Sequence, residues 1–529
     1  MTEETSPPLE VEIKLTGGKA ALRQAEAALK RRAGKVEWKT DALVSTYYDT
    51  VDRRLSQRGV SYRVRKKNRT YLQTVKAASV GKGAAAARPE WEVPLRGARP
   101  ALDQLPDEAR SRMGLVLPGE LRKLFSVDVE RKKTIVTITS AGGASATLEV
   151  AIDRGDVIAG RKRDPLNELE IELVSGSASV IYDLAATLAE VGLSVSRITK
   201  AARGFALLDG APPAVPQRAP KLALGAGDTT SEALARIFES SIANVLQNEE
   251  PSRDGTDPEG VHQMRVSLRR MRSMLTVFRS VLPASNVAWA KEELRWFAGE
   301  MGPARDWDVF AGEILAPVQG PGIDVDGLKA LVKGADKLRA DGYRRVREAL
   351  ASPRYAKFLL GMSHLVETHG WMPANAKADH PLNRPLSDVA GGILDGAYKK
   401  VRKKGKDLAK LDIPARHEVR IELKKFRYTV DFLQGIFPVV AVSPFTSALS
   451  SMQDKFGHLN DVAVAEQLLG ELVNEKGLPV AERRLRAGTA GQVIGWYARG
   501  VHDEEAAFIA DWKTLMAAPP FWTKSGGNK

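Results

Sequence analysis

In the first 208 residues, apolar and polar positions alternate in short runs, and these runs are separated by turn-forming residues. Alternation with period two predicts antiparallel β-strands. Seven segments show it: 9–15, 61–64, 71–75, 91–95, 134–139, 147–153 and 168–174. Two stretches, 19–32 and 179–191, have helical periodicity instead. After residue 228 the apolar period becomes helical and stays so to about residue 515.

A proline-rich segment separates these two regions. Residues 210–220 hold four prolines among small and polar residues, which is typical of a linker. The sequence therefore predicts three parts: a mixed, mostly β domain over 1–208, a linker over 209–225, and an all-α domain over 226–520. The predicted fold class is α+β.

Charged residues follow the parity of the predicted strands. Alternate residues of a strand share a face, so Glu10, Glu12 and Lys14 lie together, as do Arg63 and Arg65. The same parity recurs at Thr74 and Lys76, at Arg88, Glu90 and Glu92, at Arg131 and Lys133, at Glu149 and Asp153, and at Glu168, Glu170 and Glu172.

Two arrangements explain this parity. The charges face solvent around an apolar core, or the strands close into a barrel and the charges face its lumen. In the second case clustered carboxylates repel one another unless a cation binds them. Carboxylate oxygens suit Mg²⁺ or Mn²⁺, and Arg and Lys suit phosphate oxygens. An inward arrangement predicts a site for a metal–polyphosphate chelate.

In their order along the chain, these segments resemble the CYTH family, the triphosphate tunnel metalloenzymes. The resemblance covers about residues 5–208 and begins with Glu10-x-Glu12-x-Lys14. It also includes Tyr48-Asp49-Thr50 and ends on Ser196-x-x-x-Lys200-Ala-Ala-Arg203-Gly204. It implies an eight-stranded antiparallel β tunnel with flanking helices. It also implies hydrolysis or cyclisation of triphosphates with a divalent metal, Mg²⁺ or Mn²⁺.

The same resemblance implies roles for individual residues. Catalytic roles fall on Glu10, Glu12, Lys14 and Lys76. Phosphate binding falls on Arg63, Arg65, Arg131, Lys200 and Arg203. Metal binding falls on Glu10, Glu12, Glu92, Asp153, Glu168, Glu170 and Glu172. No histidine occurs before His262, which excludes a phosphohistidine intermediate in this domain.

The helical half contains an internal repeat. The segment starting at His262 aligns with the segment starting at His417, with basic residues at +3, +7, +8 and +10 and apolar residues at +2, +6, +9 and +13. On a helix the two sets occupy opposite faces. A second matching element, 302–306 and 457–461, begins 40 residues after each histidine. Two matched offsets indicate a duplication.

The basic faces have two interpretations. Each is a solvated surface, or the two face each other across a pseudo-twofold bundle and form one cationic groove. Each histidine then binds phosphate, pairs with an acid such as Asp306 or Asp461, or is a buried structural residue.

Residues 226–515 resemble the CHAD family, the conserved-histidine α-helical domain, and the second copy has Asn460 where the first has Arg305. The resemblance implies binding of inorganic polyphosphate along a basic channel. It assigns that role to His262, Arg265, Arg269, Arg270, Arg272, His417, Arg420, Lys424, Lys425 and Arg427.

Composition narrows the remaining choices. The 529-residue chain has no cysteine, which excludes disulfide scaffolds, iron–sulfur clusters and thiol nucleophiles. A net charge of +14 favours a polyanionic partner. Aromatic residues make up only 6%, which disfavours nucleic acid as the partner, since single-strand binders interleave stacking aromatics with basic residues.

No apolar stretch is long enough to span a bilayer, and no secretory signal is recognisable, so we expect a cytoplasmic protein.

The sequence therefore predicts a metal-dependent inorganic triphosphatase that acts on tripolyphosphate, with a helical domain that binds longer polyphosphate. Two alternatives stay open. One is a polyphosphate-binding protein with little turnover. The other is a different triphosphate enzyme of the same fold: a thiamine triphosphatase, an RNA 5′-triphosphatase or an adenylate cyclase. Oligomeric state is not predicted.

Overall fold

The computed structural model describes residues 9–78, 84–220, 222, 224–320 and 322–523. Within these ranges, the side chains of residues 9, 10, 86, 87, 413, 454, 457–463 and 498–505 are not described. Two compact units are present. The first comprises the described residues up to Ala214 together with Leu350–Thr368. The second comprises Val215–Ala349 and the described residues from His369 onward.

The first unit is built on one antiparallel sheet. Its strands are β1 (Leu9–Thr16), β2 (Lys39–Asp49), β3 (Ser61–Lys67), β4 (Thr70–Lys76), β5 (Ala86–Leu95), β6 (Arg122–Thr139), β7 (Ser145–Ala159), β8 (Lys162–Gly176) and β9 (Ser194–Val195). They follow the order β5-β4-β3-β2-β6-β7-β8-β1-β9, and β1 also pairs with β5. That additional pairing closes the first eight strands into a tunnel, and β9 lies outside the closed ring, paired with β1.

The chain contains sixteen α-helices in its described residues. They are α1 (Lys19–Ala33), α2 (Arg54–Gln57), α3 (Asp107–Met113), α4 (Ser179–Ala189), α5 (Lys200–Asp209), α6 (Thr230–Gln247), α7 (Glu249–Asp254), α8 (Glu259–Val277), α9 (Ala284–Glu300), α10 (Gly302–Val309), α11 (Val325–Ala351), α12 (Pro353–Glu367), α13 (Leu386–Lys404), α14 (Ile413–Leu433), α15 (Val439–Val473) and α16 (Val480–Ala517). A π-helical turn, Phe310–Leu315, follows α10. Among the described helices, none has the length and apolar character that crossing a bilayer requires.

The α+β fold class is confirmed. All seven predicted strand segments lie inside observed strands, and the two predicted helices correspond to α1 and α4. The strand count was wrong: the sheet has nine strands rather than eight. The extra strand is the two-residue β9, which is too short to leave an alternating pattern. The boundaries 1–208, 209–225 and 226–520 stay a prediction, to which the structure adds that Leu350–Thr368 packs within the tunnel unit.

The outer face of the tunnel is apolar and covered by helices. Ile13, Leu15, Val150, Ile171 and further strand residues pack with α1 and α4 in one buried cluster. A second cluster joins Tyr62, Val64 and Val75 to α3. This packing explains the parity of the strands, because the apolar residues that alternate with the charged ones face outward into these helices.

Helix α5 closes one end of the tunnel. Ala201, Phe205 and Leu208 of α5 pack on inward-facing Tyr47, Phe125 and Val127. Gly204 makes this contact possible, since a Cβ at that position would lie 2.0 Å from the Phe125 ring. The side chain of Thr199 accepts a hydrogen bond from the Ala202 N–H at 3.0 Å, and this N-cap fixes the start of the helix. Lys200, the first residue of α5, thereby enters the lumen.

In the second unit, the duplicated helices α8 and α14 pack against each other. Their apolar positions are at most 1% exposed, which agrees with the predicted faces; these are Met264, Leu268, Met271 and Leu275 in α8, and Val419, Leu423, Phe426 and Val430 in α14. The second elements of the repeat differ. Gly302-Pro303 starts the separate helix α10, whereas residues 457–461 lie inside the continuous helix α15. Proline lacks the N–H that would continue a helix, and the second copy has no proline there.

Candidate active site in the tunnel

The lumen of the tunnel is a charged cavity of about 650 Å³. All eight strands of the ring and the start of α5 contribute to its lining. Among the described residues the lining includes nine basic and seven acidic side chains. The basic ones are Lys14, Arg63, Arg65, Lys67, Lys76, Arg88, Arg131, Lys133 and Lys200, and the acidic ones are Glu12, Asp41, Glu90, Glu92, Glu149, Glu170 and Glu172. The cavity is therefore cationic overall, and it suits a small polyanion.

Lys200 lies at the centre of the densest group of charges. Its Nζ is 2.9 Å from Asp153, 2.8 Å from Glu168 and 2.7 Å from Glu170. The residue is only 8% exposed, and Asp153 and Glu168 are 1% exposed. Burial alone would lower the pKa of Lys200, but the charges of Asp153 and Glu170 outweigh it and raise the pKa. Lys200 thus pairs with three strand carboxylates at once.

Arg131 and Lys14 complete this group. Arg131 binds Asp153 through two hydrogen bonds of 2.7 and 2.6 Å, and it reaches Glu170 at 2.5 Å. Lys14 Nζ lies 3.2 Å from Glu170. Burial would raise the pKa of Glu170, but the nearby charges of Lys200, Lys14 and Arg131 hold it well below its usual value. The same balance, with Lys200 and Arg131 opposing burial, lowers the pKa of Asp153.

Arg65 and Arg63 form a cationic stretch of β3. Burial, followed by repulsion from Arg63 and Arg131, lowers the pKa of Arg65 to about 10. Arg65 donates to Ser45 Oγ at 3.3 Å, and no ion pair of Arg65 is found among the described residues. The Nε of Arg63 is buried and has no hydrogen-bond partner within the described structure. Both guanidinium groups therefore have donor capacity that an anion in the lumen would satisfy.

The carboxylates on the other wall are also held by basic groups. Arg88 contacts Glu12 directly, and Lys76 Nζ is 2.6 Å from Glu90. Glu92 accepts from Thr74 Oγ1 at 3.0 Å. The contacts of Glu90 and Glu92 follow from the register, because Thr74 lies opposite Glu92 and Lys76 lies opposite Glu90 on strands β4 and β5.

The donor chemistry of the lumen fits a divalent metal. Glu12 of β1 lies opposite Glu172 of β8, and Lys14 lies opposite Glu170. Carboxylate oxygens are the ligands that Mg²⁺ and Mn²⁺ prefer. Among the residues that the structure describes, however, no three Asp, Glu or His side chains are close enough together to hold an ion. The carboxylates are drawn instead toward Arg88, Lys14, Arg131 and Lys200.

The structure brings most of the sequence-predicted residues of this domain together. Ten line the cavity: Glu12, Lys14, Arg63, Arg65, Lys76, Glu92, Arg131, Glu170, Glu172 and Lys200. Asp153 and Glu168 lie behind the lining and contact it through Lys200. Arg203 lies outside the lining residues, where it binds Asp164 and the carbonyl oxygen of Pro165. The side chain of Glu10 lies outside the described residues.

Sequence reasoning missed the lumen residues of β2. Asp41, Leu43 and Tyr47 of this strand line the cavity. Burial would raise the pKa of Tyr47, but the charge of Arg63 and its hydrogen bond lower it. The alternation of Asp41, Leu43, Ser45 and Tyr47 is a signal, although a weak one because both faces of β2 mix polar and apolar residues. Asp49, by contrast, is structural: it accepts from the N–H groups of Leu55 and Ser56, at 2.9 and 3.0 Å.

The basic residues of α8 and α14 occupy the faces opposite their buried apolar positions. Arg269 is exposed and its guanidinium lies 5.7 Å from the centre of the Tyr428 ring on α14. Arg427 donates to Gln453 at 3.0 Å, and Lys425 lies 2.7 Å from Glu422. His417 and Arg272 are exposed, whereas Arg270, Arg420 and Lys424 are half-buried. The two helices thus present basic residues near one another, while a continuous groove stays a prediction.

His262 is half-buried near the start of α8. Burial, followed by the charge of Arg305, lowers its pKa. Asp306 lies 3.9 Å from Arg265, which itself donates to the carbonyl oxygen of Ala298 at 3.1 Å. Burial raises the pKa of Asp306. In the first copy, the acid of the second element therefore faces Arg265. Asp461 of the second copy lies outside the described side chains.

Two family models match the chain. A CYTH domain matches residues 8–205, and a CHAD domain matches residues 236–470. The chain therefore carries a CYTH domain followed by a CHAD domain, as the resemblances indicated.

Individual relatives match one part of the chain each. An inorganic triphosphatase from Haemophilus influenzae is 32% identical over 171 residues, which are 31% of this chain and 46% of the relative. An uncharacterized protein from Mycobacterium tuberculosis is 30% identical over 187 residues, which are 32% of this chain and 33% of the relative. The chain thus spans less than half the length of these curated relatives.

Among solved structures, the CHAD domain from the plant Ricinus communis is similar at 29% identity. The match covers 58% of this chain and 99% of the plant domain, with a TM-score of 0.48. PptA from Streptomyces chartreusis matches at 17% identity over 54% of this chain and 100% of that chain, with a TM-score of 0.40.

Proposed function

We propose that the chain is a metal-dependent inorganic triphosphatase that cleaves tripolyphosphate to phosphate and pyrophosphate inside the tunnel. The observation that carries the proposal is the cationic lumen, in which the half-buried Arg65 lies near Arg63 and Arg131 and has a pKa lowered to about 10. An anion beside Arg65 would relieve the repulsion from Arg63 and Arg131. The similarity to an inorganic triphosphatase supports a triphosphate as that anion.

The chemistry of phosphoryl transfer suits such a site. It needs little covalent help from the protein and depends on positioning and charge neutralisation. We assign Arg63, Arg65 and Lys76 to one side of the phosphate chain, and Arg131, Lys14 and Lys200 to the other. The closed ring of strands limits access of bulk water, and low solvent content strengthens each of these contacts. Because α5 closes one end of the tunnel, we expect the substrate to enter through the opposite end.

CYTH triphosphatases generally depend on a divalent metal, and we propose Mg²⁺ or Mn²⁺ held by Glu12, Glu170 and Glu172. A bound metal supplies neutralisation of phosphate charge and a lower pKa for an attacking water. In the described structure Glu12 contacts Arg88, and Glu170 contacts Lys14 and Lys200. The same basic residues are the ones that phosphate oxygens would engage, so substrate and metal would replace the ion pairs together.

We propose further that the helical domain binds inorganic polyphosphate. The support is the matched basic faces of α8 and α14, together with the CHAD domain itself. A flexible polyphosphate chain has no bases, so its binding site needs no aromatic rings for stacking. The Tyr428 ring lies beside Arg269, where it contacts the guanidinium group. A nucleic-acid partner stays disfavoured, and a cytoplasmic location stays a prediction.

Phosphate release from tripolyphosphate by the full chain tests the enzymatic proposal. We expect turnover that requires Mg²⁺ or Mn²⁺, and we expect Glu12→Gln to lower it at least about 100-fold, since it removes one carboxylate charge from the lumen. Glu108→Gln, at an exposed position of α3, is the matched control and keeps full activity. No turnover by the wild type would favour a polyphosphate-binding protein instead. Faster cleavage of thiamine triphosphate or of a nucleoside triphosphate would favour another member of the fold.

A further inference from the structure

Helix α12 lies inside the CHAD match in sequence but belongs to the tunnel unit in space. Its Ala356 and Leu360 are 2% and 0% exposed and pack in the same cluster as strand residues Ile13 and Val150. Local sequence explains the helix start, because Ser352 accepts a hydrogen bond from the Tyr355 N–H at 3.2 Å and Pro353 follows it. The tunnel unit therefore uses a helix from a distant part of the chain.

One polar contact joins α12 to the chain segment that leads into β5. The N–H of Ala84 donates to the Oγ of Ser363 at 2.9 Å. Both residues are only 3% exposed, so water does not compete for this hydrogen bond. The two residues are 279 positions apart in sequence. This bond anchors the backbone two residues before the first residue of β5.

The anchored segment borders the candidate active site. Four residues after Ala84, Arg88 contacts Glu12 across the β1–β5 pairing that closes the tunnel. Ala84 also lines a small side cavity of about 50 Å³, together with Glu12, Lys14 and Arg88. A shift of Ala84 would therefore change both the wall of this side cavity and the position from which Arg88 meets Glu12.

We propose that Ser363 of α12 is a positioning residue for the tunnel: it holds Ala84, and through Ala84 it fixes the start of β5 and the Arg88–Glu12 contact. The activity readout of this proposal rests on the proposed function. Ser363 does not touch the lumen, so it acts through the backbone of residues 84–88. Because α12 carries this contact, the segment matched as CHAD positions one wall of the candidate triphosphate site without lining it.

The test compares Ser363→Ala with wild type in the full chain, using hydrogen exchange followed by mass spectrometry and tripolyphosphate kinetics. We expect amide exchange in peptides covering 84–92 to speed up at least about 10-fold. We expect KM for tripolyphosphate to rise about 2- to 10-fold, the effect of one lost hydrogen bond, with kcat within about twofold. Ser363→Thr keeps the hydroxyl and should recover the wild-type KM.

Lys357→Ala is the matched control on the same helix. Lys357 forms an exposed ion pair of 2.7 Å with Glu190 and should leave exchange and KM unchanged when replaced. Unchanged exchange across 84–92 in Ser363→Ala, or faster exchange with an unchanged KM, would overturn the proposal. If the wild type neither cleaves nor binds tripolyphosphate, the proposed function has failed. Exchange across 84–92 then still decides whether Ser363 holds the start of β5.

Discussion

The tunnel and the duplicated helices both concentrate arginine and lysine, yet they treat these charges differently. In the tunnel several basic groups are buried, and Lys200 contacts Asp153, Glu168 and Glu170 from neighbouring strands. On α8 and α14 the basic groups lie opposite the buried apolar faces, and they are exposed, as Arg269 and Arg272 are, or half-buried, as Arg270 is. A strand that turns its charges inward places them in low dielectric, whereas a helix that turns them outward leaves them screened.

This difference teaches where substitutions should matter most. Removing one charge from the tunnel leaves opposite charges buried without compensation, which is costly. Removing one charge from the outer face of a helix changes a screened interaction with a partner and little else. The expected effects therefore decrease from the centre of the lumen to the helical surface.

The largest effect is expected for Lys200→Ala. This change leaves Asp153, Glu168 and Glu170 without their shared ammonium group, and we expect a loss of about 3–5 kcal/mol in unfolding free energy. Triphosphatase activity should fall at least about 100-fold. Urea unfolding and phosphate release measure the two effects. Lys30→Ala, at an exposed position of α1, is the matched control and should change neither. A stable and active Lys200→Ala would refute the proposed centre of the site.

A smaller effect is expected for Gly204→Ala. The new Cβ would lie 2.0 Å from the Phe125 ring, so α5 must shift away from the end of the tunnel. Overpacking of this kind costs about 1–3 kcal/mol, and the shift of α5 should displace Lys200 and raise KM for tripolyphosphate. Thermal unfolding and steady-state kinetics are the measurements. Gly97→Ala has nothing within 4 Å of its new Cβ, so wild-type behaviour is expected there. An equal effect in both variants would contradict this explanation.

Strand parity predicted that the charged residues share one face, because parity depends only on alternation, which Glu168, Glu170 and Glu172 show plainly. It left open whether that face meets solvent or a lumen, and the resemblance to the CYTH family implied the lumen. The sequence did not predict β2, because polar and apolar residues mix on both faces of that strand. It did not predict α5, whose fit depends on a distant Phe125 that only the fold brings to Gly204. The contact of Ser363 with Ala84 spans 279 positions, and no local pattern reveals such a pairing.

The unfolding free energy of the protein should decrease as the pH falls below about 4. Asp153 has a folded-state pKa below its usual value, so it contributes stability above about pH 4 that is lost as pH falls through the folded pKa. We expect unfolding free energy to decrease more steeply below pH 4 in wild type than in Asp153→Asn. The slopes should differ by up to about 1.4 kcal/mol per pH unit, the value for one proton.

Asp107→Asn is the control for the acid series, since the Asp107 side chain is 93% exposed. Its slope should match that of the wild type. Equal slopes for Asp153→Asn and wild type would show that Asp153 is not held ionised by Lys200 and Arg131.

The smallest effect is expected on the helical surface. Arg269→Ala combined with Lys424→Ala should weaken polyphosphate binding about 3- to 10-fold and should flatten the dependence of Kd on salt, because two phosphate contacts are lost. Titration of the full chain at several salt concentrations measures both. Lys333→Ala with Lys476→Ala removes two exposed charges elsewhere in the unit and should leave binding unchanged. Equal weakening of polyphosphate binding by the two double variants would show that binding depends only on net charge and not on α8 and α14.

The central claim is that the inward-facing charges of the tunnel bind a triphosphate. The most direct measurement is a crystal structure of the full chain with tripolyphosphate and Mn²⁺, whose anomalous scattering locates the metal. The account predicts phosphates in the lumen in contact with Arg63, Arg65 and Lys76, and Mn²⁺ beside Glu12. Tripolyphosphate bound only outside the tunnel, with the Arg88–Glu12 and Lys200 ion pairs intact, would contradict it.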